Sequence, residues 1–312
     1  MIQSVAPRRH DREESLKQKA DQAATLRKTD GAVSEHATAQ RSPATQPRVI
    51  AITSGKGGVG KTNIVANLGF VLSRMGKRVF VLDADMGLAN VDVLLGLAPQ
   101  YNFQHVFRGE KGIDEIIVDG PGGMKILPAS SGVQELSELT REQKLMLLGE
   151  FSAIGNRLDV LLIDTGAGIS SNVMYFTMAA QDKLVVVTPE PTSITDAYAI
   201  IKVMAKQHDQ KHFKLVVNQV KDEQEAQGLY CNLSSVAEKF LNVSIDYLGY
   251  IAHDPNVPLA VRSQQLVTMR YPRTPASLCF ARLAKRLLEQ RSQETPHSTI
   301  GFFWDTILTN AT

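Results

Sequence analysis

The residues best suited to chemistry are concentrated in Ser54-Gly55-Lys56-Gly57-Gly58-Val59-Gly60-Lys61-Thr62, directly after the apolar run Val49-Ile50-Ala51-Ile52. Gly55, Gly60, Lys61 and Thr62 fit the phosphate-loop pattern G-x-x-x-x-G-K-[ST]. Glycines let successive backbone N–H groups turn toward phosphate oxygens, and a helix beginning near Gly60 adds its positive end. Lys61 brings a mobile point charge for the β- and γ-phosphates, and Thr62 a hydroxyl for Mg²⁺. Gly55, Gly57 and Gly60 also spell G-x-G-x-x-G, with Asp83 at the distance of a ribose-binding acid. That dinucleotide reading leaves Lys61-Thr62 without a use, ignores a second strand ending in Asp164, and gives Lys56 no dense negative charge to meet.

Carboxylates stand where such a loop needs them. Val79-Phe80-Val81-Leu82 leads into Asp83-Ala84-Asp85, and Leu158-Asp159-Val160-Leu161-Leu162-Ile163 leads into Asp164-Thr165-Gly166-Ala167-Gly168. An apolar strand delivering an acid beside a phosphate loop is how Mg²⁺ is held opposite the loop threonine. A single strand ending in Asp is ordinary; two beside the loop form a constellation.

The elements that must position these groups are strands alternating with helices. Strands are expected at 48–53, 78–83, 124–128, 158–164, 183–189, 214–218 and 247–251, and helices at 61–74, 141–156, 170–180, 193–206, 224–240 and 275–289. Several strands are continuous Val/Ile/Leu runs, as in a sheet buried on both faces. The expected fold is α/β: a doubly wound, mostly parallel sheet flanked by helices, with ligands at the carboxyl ends of the strands. One domain is expected over 48–290. Residues 1–47 are polar and read as a flexible tail in which roughly 12–28 could form a helix against a partner. Residues 291–312 read as a polar spacer and an amphipathic helix, with Ile300, Phe303, Trp304, Ile307 and Leu308 on one face.

The 312-residue chain carries a formal net charge of +2, so its overall charge is no nucleic-acid footprint. Cys231 and Cys279 have no metal-ligand spacing, and buried free thiols in a reducing cytosol are expected. No apolar run reaches membrane-spanning length and the first residues are too polar for a secretory signal, so a cytoplasmic protein is expected.

Lys56-Gly57-Gly58-Val59-Gly60-Lys61-Thr62 resembles the deviant Walker A motif K-G-G-x-G-K-[ST] of MinD/ParA-type ATPases. LDADMGLANVDVLLGL (82–97) is similar to their switch I and LLIDTGAGIS (161–170) to their switch II. The resemblance covers about 48–290. It implies an ATPase using ATP and Mg²⁺ that forms homodimers with ATP, Lys56 reaching the partner's phosphates. Asp85 would orient the attacking water, and Thr62, Asp83 and Asp164 would serve the Mg²⁺ shell. Asn218 matches the family's adenine-side asparagine, and His253-Asp254-Pro255-Asn256-Val257-Pro258 the loop bordering the base. A turn cap is the other reading of Asn218.

Within the family, EPTSITDAYAIIK (190–202) and ANVDVLLGL resemble the flagellar branch, the FlhG/FleN-type regulators of flagellar number and placement. Asp21-Gln22-Ala23-Ala24-Thr25-Leu26-Arg27 is similar to that branch's D-Q-A-x-x-L-R motif, which implies stimulation of the FlhF GTPase. Gln22 would lie near the partner's active site, with Asp21, Leu26 and Arg27 as docking contacts. The resemblance also implies flagellar C-ring switch proteins and a FleQ-type transcription regulator as partners, and reversible membrane attachment through the C-terminal helix. That helix departs from a lipid-binding pattern in carrying Asp305 and no Lys or Arg. Folding back on its own domain is the other expectation for it. MinD-like division-site regulation and ParA-like DNA segregation are the competing readings. The N-terminal motif disfavours the first and the near-neutral charge the second, so no direct nucleic-acid contact is expected.

Overall fold

The Val/Ile/Leu runs form the middle of one eight-stranded sheet. The computed structural model describes residues 47–85, 90–128, 140, 148–150, 153–155, 157–290, 303, 306 and 307, all within one unit, Gln46–Thr312. The strands are β1 (Arg48–Ser54), β2 (Val79–Ala84), β3 (Val118–Asp119), β4 (Lys125–Pro128), β5 (Val160–Ala167), β6 (Asp182–Val187), β7 (His212–Val220) and β8 (Ser244–Ala252). Their order is β3-β4-β2-β5-β1-β6-β7-β8. All pairs are parallel except β3 with β4. Every residue of β2 and β6 is buried, as expected for parallel strands covered on both faces.

The helices are α1 (Lys61–Arg74), α2 (Asn90–Leu95), α3 (Phe103–Phe107), α4 (Ile113–Ile116), α5 (Ser171–Ala179), α6 (Pro191–Gln207), α7 (Glu223–Leu241), α8 (Asn256–Arg262), α9 (Val267–Arg270) and α10 (Pro275–Glu289). The doubly wound architecture follows from which side chains share a core. Ile50, Ile52, Val81 and Leu162 point to the side packed by Leu68, Leu72, Phe280 and Leu283 of α1 and α10. Their neighbours Val49, Ala51, Leu161 and Ile163 point the other way, toward Phe103, Ile113 and Phe176. Strand alternation thus assigns each face its helices.

All seven expected strands are present. The added β3 has only two residues, too few to show a period. Five expected helices appear as α1, α5, α6, α7 and α10. Of the sixth, 141–156, the described residues 148–150 and 153–155 are helical. The unexpected α2, α3, α4, α8 and α9 have four to seven residues, at most two turns. Such pieces are held by tertiary packing rather than by their own sequence.

Two polar devices fix the sheet's periphery. Arg48 Nε donates to Asp182 Oδ2 at 2.6 Å and its Nη1 donates to Gln290 O at 2.8 Å, tying β1 to the end of α10. On the terminal strand β8, the carbonyl oxygens of Ile245 and Leu248 accept from Tyr230 Oη (3.0 Å) and Arg286 Nη1 (3.2 Å).

Candidate active site

β1 delivers the chain to Ser54 and α1 begins at Lys61, so the glycine-rich segment bridges a strand end and a helix start. Gly60 sits at φ +92°, the left-handed region, and no side chain caps α1 and no acid occupies its first turn. Asp222 Oδ1 accepts from Glu225 N (2.9 Å) at α7 and Ser170 Oγ accepts from Val173 N (3.4 Å) at α5, whereas α6 and α10 open on a proline without a side-chain cap. Of these helices α1 alone follows a glycine-rich loop. A helix start left without a side-chain cap beside a glycine loop is an anion site by construction. Close packing fixes the loop. A Cβ on Gly60 would lie 2.6 Å from Asn218 Nδ2, and one on Gly55 2.1 Å from the backbone of Asp196 in α6.

Lys61 is nearly buried, and its Nζ donates to Ser54 Oγ at 3.0 Å. Burial pulls its pKa down, opposed by the charges of Asp164 and then Asp85, so both acids lie within electrostatic reach of it. Lys56 is not free: its Nζ is ion-paired with Glu190 and donates to Thr192 Oγ1 at 3.2 Å, both at the start of α6. Within one chain this lysine is therefore held in cis, where the sequence suggests a reach across a dimer.

The strand-end acids differ sharply. Asp83 and Asp164 are paired in register across β2 and β5. Asp83 Oδ2 accepts from Asn90 N and Val91 N (both 3.1 Å), and Oδ1 from Asp85 N (3.3 Å). Its carboxylate is the cap of α2 and the organiser of this loop, a role the sequence does not show. Burial pushes its pKa up to about 6 although those three amides pull the other way. Asp164 is fully buried and neither of its oxygens has a hydrogen-bond partner. Burial drives its pKa up as well; the Thr62 hydroxyl and Lys61 counter this, the neighbouring Asp83 and Asp85 charges add to it. Asp85 is partly exposed, and its Oδ2 accepts from Asn90 Nδ2 at 3.2 Å.

A buried carboxylate with two orphaned oxygens beside a threonine hydroxyl is an unfinished cation shell. Thr62 and Asp164 therefore fit Mg²⁺, a hard cation that takes few protein ligands and completes its shell with phosphate and water. Among the described residues no cluster of three His, Cys, Asp or Glu side chains forms a metal site by itself.

A cleft of about 430 Å³ opens beside the loop, lined by Gly60, Asn63, Asn218, His253, Asp254 and Arg262 among others. The two polar residues expected to face a base have prior commitments. Asn218 Nδ2 donates to Val59 O at 2.7 Å and its Oδ1 accepts from Gln219 N at 2.9 Å, so it buttresses the loop from β7. Asp254 Oδ1 accepts from Asn256 N (2.9 Å) and Oδ2 from Ala276 N (3.1 Å), joining α8 to α10. Burial would raise the Asp254 pKa, but these amides hold it below the usual carboxylate range. Both residues line the cleft through what they hold in place.

Asp21, Gln22, Leu26, Arg27, Ile300, Trp304 and Leu308 lie outside the described residues. Phe303 and Ile307, from the same C-terminal stripe, are buried in the cluster containing Phe103, Val106, Ile113 and Leu127. They face the protein here. Ser54, Asn90 and Glu190 also join the site; each lies inside one of the stretches 54–62, 82–97 and 190–202, but its role shows only through a partner brought near by the fold. Of the two cysteines, Cys279 is buried as expected and Cys231 is exposed.

The CobQ/CobB/MinD/ParA nucleotide-binding domain matches residues 50–267. The chain belongs to this family. It is 44% identical over 256 residues to the antiactivator FleN of Pseudomonas aeruginosa, covering 82% of this chain and 91% of that one. It is 35% identical to the flagellum site-determining protein YlxH of Helicobacter pylori, covering 84% and 90%. Among solved structures, a chain of the MinC:MinD cell division complex of Aquifex aeolicus superimposes with a TM-score of 0.64 at 29% identity, covering 80% and 98%. The matched span contains the loop at 54–62 and both strand-end acids, and the flagellar relatives agree with the branch suggested by switch I and residues 190–202.

Proposed function

We propose that this protein is an ATP-hydrolysing, ATP-dependently dimerising regulator of flagellar number and placement. The observation that carries the chemistry is the convergence of Lys61, Asp85 and the orphaned Asp164 on an uncapped helix start. The relatives named antiactivator FleN and flagellum site-determining protein YlxH support the flagellar setting. The loop amides and Lys61 would hold the β- and γ-phosphates. Thr62 and Asp164 would hold Mg²⁺, which supplies charge neutralisation at those phosphates. Asp85, half-exposed at the end of β2, would orient the attacking water. Lys56 would exchange Glu190 for the phosphates of the partner protomer, and the cleft beside Gly60 would take the nucleoside.

In this reading the dimer presents the two termini. Residues 1–47, with Asp21, Gln22, Leu26 and Arg27, would stimulate a FlhF-type GTPase. Phe303 and Ile307 are buried now, so attachment to the inner face of the cytoplasmic membrane would require their withdrawal from the Phe103–Ile113 cluster. Among the described residues no helix is long and apolar enough to cross a membrane, which leaves a surface helix as the attachment. C-ring switch proteins and a FleQ-type activator complete the expected partners.

Light scattering of the full chain with ATP and with ADP tests the core of this reading, expecting a dimer with ATP only. A monomer under both conditions overturns it. Adding purified FlhF extends the test: removing residues 1–47 should abolish stimulation of its GTPase while ATP hydrolysis persists. Removing residues 299–312 should abolish ATP-dependent cosedimentation with liposomes.

A further inference from the structure

The groups around Asp85 suggest how its orientation is fixed. Its Oδ2 accepts from Asn90 Nδ2 at 3.2 Å. On the other side, a Cβ on Gly166 would lie 3.3 Å from Asp85 Oδ1 and 3.2 Å from Val173 Cγ2, so only glycine leaves the space at that oxygen open. Asn90 is itself anchored, since its backbone N donates to Asp83 Oδ2 at 3.1 Å. It is the first residue of α2. A chain of contacts therefore runs from the end of β2, through Asp83 and the start of α2, to Asn90 and back to Asp85.

We infer that Asn90 is a positioning residue for ATP hydrolysis, holding Oδ2 of Asp85 so that Oδ1 is the oxygen presented to the attacking water. This rests on the reading of Asp85 as the water-orienting residue. A free carboxylate rotates about its last bond and offers either oxygen in many directions, whereas a carboxylate held through one oxygen offers a single direction. An asparagine suits the task because its N–H donates without adding charge beside Asp85, Asp83 and Asp164. In the reaction the water oxygen bonds to the γ-phosphorus as the bond to the β–γ bridging oxygen breaks. ADP leaves with that electron pair; one water proton remains on the released phosphate and the other leaves to solvent by way of Asp85.

The test is steady-state ATP hydrolysis by the full chain carrying Asn90→Ala, Asn90→Asp or Asn90→Ser. The alanine variant is expected to lose about tenfold in kcat with KM for ATP within about twofold, because the lost contact acts on the reacting water and not on substrate binding. Asn90→Asp preserves shape and suits a helix start, but cannot donate and repels Asp85, so its loss should be larger. Asn90→Ser, which keeps a donor, should recover part of the rate. In the Asp85→Ala background, Asn90→Ala should add less than about twofold. Wild-type kcat in Asn90→Asp, or an equal further loss in the Asp85→Ala background, overturns the inference. If Asp85→Ala itself turns over normally, the reading of Asp85 has failed. If Asp85→Ala is inactive while Asn90→Asp is not, only the role of Asn90 has failed.

Discussion

Asp83 and Asp164 stand side by side at the ends of adjacent strands, both buried and both with a pKa raised by burial, and differ in what meets their oxygens. Asp83 is completed by the protein, with three backbone N–H groups on its two oxygens. Asp164 has no backbone donor on either oxygen, and only the Lys61 charge and the Thr62 hydroxyl offset its burial. A folded chain tolerates an orphaned buried carboxylate only at a cost in stability, and such costs concentrate where a ligand later removes them. The pair therefore separates two tasks that motif reading merges. Asp83 holds the start of α2, and Asp164 is the acid left available for the proposed cation.

The largest effect that could break this contrast is on turnover. Asp164→Asn is expected to lower ATP hydrolysis by about 10²-fold or more, while leaving the nucleotide-free protein at least as stable, because relief of the buried carboxylate's desolvation offsets the attraction lost to Lys61. A variant that is both slower and less stable would deny that Asp164 is held in reserve. Asp83→Ala should act in the opposite sense on the empty protein. Three backbone donors lose their acceptor, at about 2–3 kcal/mol in urea unfolding. Asn218→Ala tests whether a satisfied carboxamide buttresses the loop. Nucleotide affinity in calorimetry should fall about tenfold because the loop is no longer pre-organised, whereas an unchanged affinity would reduce Asn218 to a local turn residue.

The smallest effect concerns Lys183, the buried cation that mirrors Asp164. It donates to Ala180 O at 2.6 Å, and burial lowers its pKa to about 8 from an ordinary value near 10.5, against the pull of Asp182. Between those values the unfolded chain holds more protons than the folded one, so this lysine makes stability rise with pH across that window. Lys183→Met should be more stable than the parent by about 1 kcal/mol at pH 7. Thermal melts from neutral to alkaline pH should show that gap closing. A constant gap would mean that the lysine is not penalised by burial.

The loop and the three acids were legible in the sequence because each is a local pattern: glycines before a helix, an aspartate at the end of an apolar strand. What those acids do was less legible. Asp83 is spent on amides seven and eight residues ahead, and that depends on how the chain turns after the strand. Asn218 meets Val59 from 159 residues away, and Lys56 meets Glu190 from 134. No spacing rule reports such contacts. The sheet was legible for the reason the short helices were not: buried parallel strands are continuous apolar runs, whereas a turn or two of helix takes its shape from its neighbours. The C-terminal stripe could be read from its period, yet the same period suits a lipid surface and the Phe103–Ile113 cluster. In this fold Phe303 and Ile307 lie in the cluster.

The two ends of the sheet constrain how copies of this chain can meet. One end stops at a two-residue strand beside the ion pair of Lys125 with Asp119; the other presents β8 with two carbonyls already taken by Tyr230 and Arg286. Blunted edges of this kind discourage strand-to-strand stacking. In the proposed function, where copies gather with ATP and then disperse, such edges disfavour open-ended growth through the sheet and leave association to the nucleotide-dependent dimer.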